Sequence, residues 1–373
     1  MADVSLRRLA ALLVDYSIAT QPDDLVTIEA PSLAAPFVTE IFRQVIRAGG
    51  HPQVRIEVEG ERLARLSSGS VEHLEWVNPR RIDDVELGDA IVVVGGGWNT
   101  RELDEVDASR LSRVTRAGGV ISQRIDERAH AGELRWVRTA YPTQASAQQS
   151  DMSLARYERM LYAACFVDRE DPVGRWRAFG DRMEQLATWL SAQHELRVVA
   201  PGTDLQLSVD GRTWVGSDGR FNMPDGEIYT GPVEDSAEGE IAFSFPATHG
   251  RRLIEDVRLR FEGGAVVAAT ARSGYDYLEQ MLSVDEGAMR VGEIAFGLNE
   301  ALQVFMGDSL FDEKIGGTMH LALGSSYPET GGRNVSALHM DMVCDLRDGG
   351  KVYADGKLVY ENGRFVMGDD LSE

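Results

Sequence analysis

Three scarcities in the sequence exclude whole classes of protein. Two cysteines stand among 373 residues. Cys165 falls in an apolar helical pattern and Cys344 after a strand pattern, so neither a disulfide framework nor an oxidising compartment is implied. Basic charge is also short. Thirty-eight Lys and Arg face sixty Asp and Glu, for a net charge of −22, and no stretch gathers the positive charge that phosphate binding needs, which excludes a nucleic-acid partner. Only three of the basic residues are lysines: Lys314, Lys351 and Lys357. Long hydrophobic runs are missing as well, since no window approaches the roughly 18 apolar residues of a membrane span. The opening "MADVSLRRLAALLVDYS" spaces Leu6, Leu9, Leu12 and Leu13 as an amphipathic helix, without the apolar run and cleavage site of a signal peptide. The expected setting is cytoplasmic, with no membrane partner.

A hydrophobic content of 43% is that of a globular protein, and the length suits two domains. The first half alternates strand and helix patterns: "LVTIEA", "AAPFVTEIFRQVIRAGG", "PQVRIEV" and "AIVVVGGG". Short buried strands separated by amphipathic helices predict a mainly parallel α/β sheet. "GGVISQRI" reads as a further strand. "SLARYERMLYAACF", capped by Ser153, and "PVGRWRAFGDRMEQLATWLSAQ", opened by Pro172, read as helices. From about Glu195 alternating strand patterns take over ("LRVVA", "DLQLSVDG", "EIAFSF", "DVRLRFEGGAVVAATA"), interrupted by one long helix around "YDYLEQMLSV". The expected organisation is an N-terminal α/β domain over 1–195 and a C-terminal α+β domain over 196–373, rich in antiparallel strands. The triple glycine Gly95, Gly96 and Gly97 lacks the Gly-x-Gly-x-x-Gly spacing of a dinucleotide loop and reads as a turn.

Chemistry concentrates in the second half. "HLALGSSYPETGGRNVSALHMDMV" holds His320 and His339, and Asp341 follows His339 at the spacing that puts both on one side of a strand. Glu227 follows the turn residues Pro224, Asp225 and Gly226. Glu293 sits in the apolar stretch "VGEIAFGLNEAL", where a carboxylate needs exposure or a strong partner. Glu313 precedes His320 by seven residues and adjoins Lys314. Taken singly, each acid also suits an exposed surface position, and Glu313 with Lys314 a solvated pair. Taken together, three glutamates, one aspartate and two histidines can hold two divalent ions with one carboxylate bridging. His51, His73, His130 and His194 read as surface residues, and His249 as a loop residue.

"RWVRTAYPTQASAQQSDMSLARYERMLYAACFVDREDPVGRW", "GRFNMPDGEIYTGP", "GEIAFGLN", "DEKIGGTMHLALGSSYP" and "SALHMDMV" resemble, in order, signature blocks of the aminopeptidase T family of metallopeptidases. The resemblance spans essentially the whole chain. It implies metal ligands at Glu227, Glu293, Glu313, His320, His339 and Asp341, and an active-site tyrosine at Tyr327. It also implies an α/β N-terminal domain, a C-terminal domain carrying the site, and a homodimer acting on peptides with a free N-terminus. Two divalent ions, of zinc, cobalt, manganese or magnesium, would activate water; mixed oxygen and nitrogen ligands do not select sharply among them. Glu293 or Glu313 would bridge the ions or move a proton, and Tyr327 would donate to the developing oxyanion. The rival reading takes only His320, His339 and Asp341, the two-His, one-carboxylate set of a mononuclear iron(II) ring-cleaving dioxygenase. That reading gives the three glutamates no task. A third, a metal-stabilised binding protein, leaves Tyr327 without one.

Overall fold

The computed structural model describes residues 2–250 and 252–366. Among the described residues, its first compact unit comprises 2–175 and 219–224. Four parallel strands lie in the order His51–Glu57, Leu25–Pro31, Ala90–Gly95, Arg135–Ala140, and the short Asn222–Met223 adds to the last. Burial runs almost unbroken along Ala90–Gly95, as expected of a parallel strand covered on both faces. The helix Ala35–Arg47 buries Phe37, Val38, Ile41 and Val45 as one stripe, with proline in its first turn, where the missing N–H is no loss. Ser153 caps Leu154–Ala164 by accepting from the Arg156 N–H. Gly96 takes φ of 121°, and a Cβ there would lie 2.7 Å from the Tyr141 carbonyl oxygen, so the backbone approach itself requires glycine.

Residues 118–125 correct the sequence reading: they belong to the helix Ala108–His130, not to a strand. Asp107 caps that helix by accepting from the Ser109 N–H. Leu111, Val114, Ile121 and Ile125 pack into small apolar clusters from it. Those residues recur at helical spacing, but the glycine pair at 118 and 119 interrupts the run and leaves "VISQRI" looking like a short strand. The fourth strand is Arg135–Ala140 instead.

Among the described residues, the second unit comprises 176–218, 225–250 and 252–366. It contains an eight-stranded antiparallel sheet, a hairpin of Ala247–His249 with Arg252–Ile254, and a five-stranded antiparallel sheet. The order in the last is His339–Asp345, Thr318–Gly324, Val291–Gly297, Glu227–Thr230, Val215–Ser217. One apolar core joins Leu196, Val198, Leu205 and Leu207 of the large sheet to Ile294, Phe296, Met319, Leu321, Met340 and Met342 of the five-stranded one. Ala187 and Leu190 of the helix Pro172–Leu190 also enter it. That helix and the return segment 219–224 account for the difference between this division and a single cut at 195/196. The helix expected around "YDYLEQMLSV" is short, Tyr275–Leu282, and is followed by a separate 3-10 turn, Glu286–Met289.

The mid-helix glycines give a test. A Cβ at Gly118 or Gly119 meets no atom within 4 Å. Alanine at either position should therefore stabilise the helix by about 1 kcal/mol, raising Tm by roughly 2–4 °C in a thermal melt. A lowered Tm would argue against the helix.

Candidate metal centre

The five-stranded sheet separates core from chemistry by alternation. On one face Ile228, Ile294, Phe296, Met319, Leu321, Met340 and Met342 enter the apolar core. On the other, period two brings out Glu227 and Tyr229, Glu293, His320, and the pair His339 and Asp341, from four adjacent strands. Strand register then makes room for them. His320 lies opposite Ala295, Glu293 and Asp341 flank Ala322, Glu227 lies opposite Gly297, and His339 opposite Gly324. On one neighbouring strand each of these side chains faces an alanine or glycine, so the ligand-type groups do not oppose one another directly across the ladder.

A β-bulge aims Glu293. The register slips between Val291 and Glu293, leaving Gly292 as the extra residue. Without the slip Val291 and Glu293 would share a face; with it Val291 joins the core and Glu293 the opposite side. A Cβ on Gly292 would come within 2.3 Å of the Gly324 carbonyl oxygen and 2.4 Å of that of Ser325. Glycine is thus the residue this bulge accepts. Likewise Gly226, at φ of 113°, lies where a Cβ would meet the Phe179 ring at 2.7 Å, and so permits the tight turn that delivers Glu227.

The six acids and imidazoles expected as ligands converge. Glu293 directs one oxygen to each histidine: Oε1 lies 3.6 Å from His320 Nε2, and Oε2 lies 3.3 Å from His339 Nε2. Glu227 Oε2 lies 3.6 Å from His320 Nε2, and Asp341 Oδ1 lies 3.5 Å from His339 Nε2. One ligand atom each from Glu293, His339 and Asp341 falls within 4.8 Å of the other two, compact enough for one ion. His339 Nδ1 donates to the Ser325 carbonyl oxygen at 2.9 Å. That bond fixes the ring and leaves Nε2 as the nitrogen facing the carboxylates, the arrangement usual for a metal-ligating histidine.

Charge in this pocket is out of balance. Glu227, Glu293 and His320 are almost fully buried. Among the described residues, the four carboxylates Glu227, Glu293, Glu313 and Asp341 meet only one permanent cation, Lys314. Buried, unpaired carboxylates are costly, so such a set demands added positive charge. Three buried atoms, Glu227 Oε2, His320 Nδ1 and Asp341 Oδ1, make no hydrogen bond. With oxygen and imidazole donors of this kind, the residues fit a divalent cation. Without one, protons fill the role. Burial opposes the charged imidazolium of His320, but Glu293 and then Glu227 outweigh it and raise its pKa to about 9. At His339 the adjacent carboxylates of Asp341 and Glu293 likewise overcome burial and raise it to about 12.

Lys314 corrects the reading of Glu313 as half of a solvated pair. The helical turn Ser309–Asp312 precedes both residues, and Asp312 ties down the loop by accepting from the N–H groups of Met306 and Asp308. Lys314 is 1% exposed. Its Nζ lies 3.1 Å from Glu227 Oε1 and pairs closely with Glu313 Oε2. Burial would neutralise the ammonium, but Glu227, Glu313 and Asp225 hold it charged.

Tyr327 forms a wall of the site. Its ring packs edge-on against His339 (5.3 Å between centroids) and Tyr229 (5.1 Å), and its hydroxyl lies 3.5 Å from His339 Nε2. Tyr327 as a whole is 38% exposed, but desolvation at its hydroxyl and the nearby carboxylates raise the phenol pKa, so it stays protonated and able to donate. Tyr229 in turn donates to Glu329 Oε1 at 3.2 Å. His249, expected in a loop, ends a hairpin strand; its Nδ1 lies 2.8 Å from the Tyr277 hydroxyl, within electrostatic reach of Asp341 and His339. His51, His73, His130 and His194 are exposed. Sequence reasoning missed Tyr229 and the role of Lys314. Tyr229 was findable, because it shares strand parity with Glu227.

Comparison with known proteins matches residues 2–365 to the thermophilic metalloprotease (M29) family. Aminopeptidase 2 of Geobacillus stearothermophilus is 28% identical over 408 residues, covering 97% of this chain and 98% of that one. Aminopeptidase T of Thermus thermophilus is 26% identical over 413 residues, with the same coverage. The solved structure of wild-type AmpT from Thermus thermophilus superposes with a TM-score of 0.86 at 24% identity, covering 97% and 99% of the two chains, and so shares the fold.

Two outcomes follow from the geometry. Gly292→Ala should cost about 1–3 kcal/mol of stability in a denaturant titration and weaken metal binding, because the bulge must shift; an unperturbed variant would show that the bulge does not position Glu293. Each imidazole that takes a metal must also surrender its proton. Zinc affinity, measured calorimetrically between pH 6 and 8, should therefore rise at least about tenfold per pH unit, and proton release should be visible in buffers of different ionisation enthalpy. A pH-independent affinity would mean that the histidines do not ligate.

Proposed function

We propose, from the premise that this chain belongs to the thermophilic metalloprotease family M29, that it is an aminopeptidase whose ligand set forms two adjoining cation positions. Glu293, His339 and Asp341 make the first. Glu227, His320 and Glu313 make the second, with Glu293 shared between them. The carrying observation is the splitting of Glu293, one oxygen toward each imidazole. This supports a bridging role for Glu293 in place of Glu313, a choice that spacing alone left open. The aminopeptidase names of the full-length relatives support the same activity. A homodimer belongs to this reading on the strength of the family resemblance, a cytoplasmic setting on the scarcity of cysteine and of long apolar runs, and the choice among zinc, cobalt, manganese and magnesium on the mixed oxygen and nitrogen donors.

Divalent ions bound here supply positive charge that acidifies water and polarises a peptide carbonyl. The chain's own residues do the rest. Ser325 holds the His339 ring through Nδ1, so its Nε2 is presented in one orientation. Tyr327, kept protonated and braced by Tyr229, offers a hydroxyl to the oxyanion that develops on the scissile carbonyl. The carboxylates suit the free α-amine of a peptide, whereas a blocked terminus carries no positive charge for them to hold. The iron(II) oxygenase alternative fits less well, because Glu293 rather than His320 completes the compact trio with His339 and Asp341.

The test is metal-dependent release of free amino acids from unblocked peptides, with no release from their N-acetylated forms. His339→Ala or Asp341→Ala should remove metal and nearly all hydrolysis; full activity with unchanged metal content would sink the assignment. Tyr327→Phe should lower kcat by about 10²–10³ with metal content unchanged. Metal loss in that variant would show Tyr327 to be a ligand.

A further inference from the structure

Lys314 is the unusual member of this site. The chain has three lysines, and one of them is among its largest fully buried side chains. It is held in the polar pocket by two of the carboxylates that the second cation position needs. Glu227 Oε1 is 3.1 Å from Nζ, and Glu313 Oε2 is paired with it. Asp225, nearly fully buried in the preceding turn, adds a third negative charge. Glu227 is thereby divided: Oε1 faces the ammonium, while Oε2 faces His320 and makes no hydrogen bond. No lysine or arginine pairs with Glu293 or Asp341 among the described residues; their ion-pair partners are imidazoles. A fixed positive charge thus pairs directly with carboxylates of one cation position and reaches the other only at longer range, through Asp341.

We propose that Lys314 is a positioning residue that makes the two positions unequal: its ammonium competes for Glu227 and Glu313, so the Glu293–His339–Asp341 position fills first and the Glu227–His320–Glu313 position fills weakly and exchanges readily. The inference rests on the two-position reading. Like charges at this range repel strongly in a poorly solvated pocket. Removing the ammonium while keeping the carboxylates must therefore tighten the second step specifically. A lysine that merely propped the carboxylates in place would give the opposite sign.

The experiment titrates the metal-free full-length protein with Mn(II), following the free ion by its six-line paramagnetic resonance signal. Wild type should bind in two separated steps. In Lys314→Met the second step should tighten at least about tenfold and the first by less than about threefold, while Lys314→Arg, which keeps the charge, retains the wild-type separation. Metal-induced gain in Tm should also be larger for Lys314→Met than for wild type, since its carboxylates have lost their partner. If Lys314→Met does not fold without metal, Lys314→Gln carries the test, having a donor but no charge. Two steps of unchanged separation, or both weakened together, overturn the proposal and leave the two-position reading intact. Saturation at one ion in wild type and variants alike overturns both.

Discussion

Three carboxylates on one face of a buried sheet and a fourth, Glu313, from the loop beside it, met among the described residues by one lysine, form the constraint on which the rest of this protein depends. Anions in that setting are tolerable only if positive charge is brought to them. In the metal-free protein the charge comes from protons on His320 and His339, which the carboxylates hold far above the ordinary histidine range. Those protons stand where a divalent cation would be more effective, and the three buried atoms without hydrogen bonds point the same way. The affinity for cations is therefore a property of the folded sheet, because only its register brings residues from 227 to 341 within reach of one another.

The sheet can carry this charge because its two faces do different work. The apolar face contributes Ile294, Phe296, Met319, Leu321, Met340 and Met342 to the core of the second unit. Burial of side chains this large contributes about 1.5–3 kcal/mol each. That stabilisation offsets the strain of crowding acids on the reverse side. Alanine and glycine at 295, 297, 322 and 324 leave the space, and the Gly292 bulge turns Glu293 from one face to the other. Core and site are thus consecutive residues of the same strands, so a change that slips the register by one position exchanges them.

Much of this was legible in the sequence. The parallel first half, the antiparallel second half and the convergence of six ligand-type residues follow from hydrophobic period, turn residues and signature blocks. His339 and Asp341 could be placed on one side of a strand because period two leaves no alternative. What escaped was set by tertiary contact. Gly118 and Gly119 broke a helical pattern into a false strand, since packing of Leu111, Val114, Ile121 and Ile125 decides there and not propensity. A bulge leaves no local mark except a glycine, so the orientation of Glu293 could not be read. Lys314 looked like a surface residue because lysines mostly are; only the fold shows that it is enclosed by acids.

In the proposed site Glu293 lies between two cation positions. This placement is tested most directly by anomalous diffraction from crystals of the protein grown with zinc, recorded on either side of the zinc absorption edge. Two anomalous peaks should flank the Glu293 carboxylate, about 3.5–4 Å apart as in two-metal hydrolytic sites, one beside His339 and Asp341 and one beside His320 and Glu227. A single peak coordinated by His320, His339 and Asp341, with Glu293 uncoordinated, would contradict this placement.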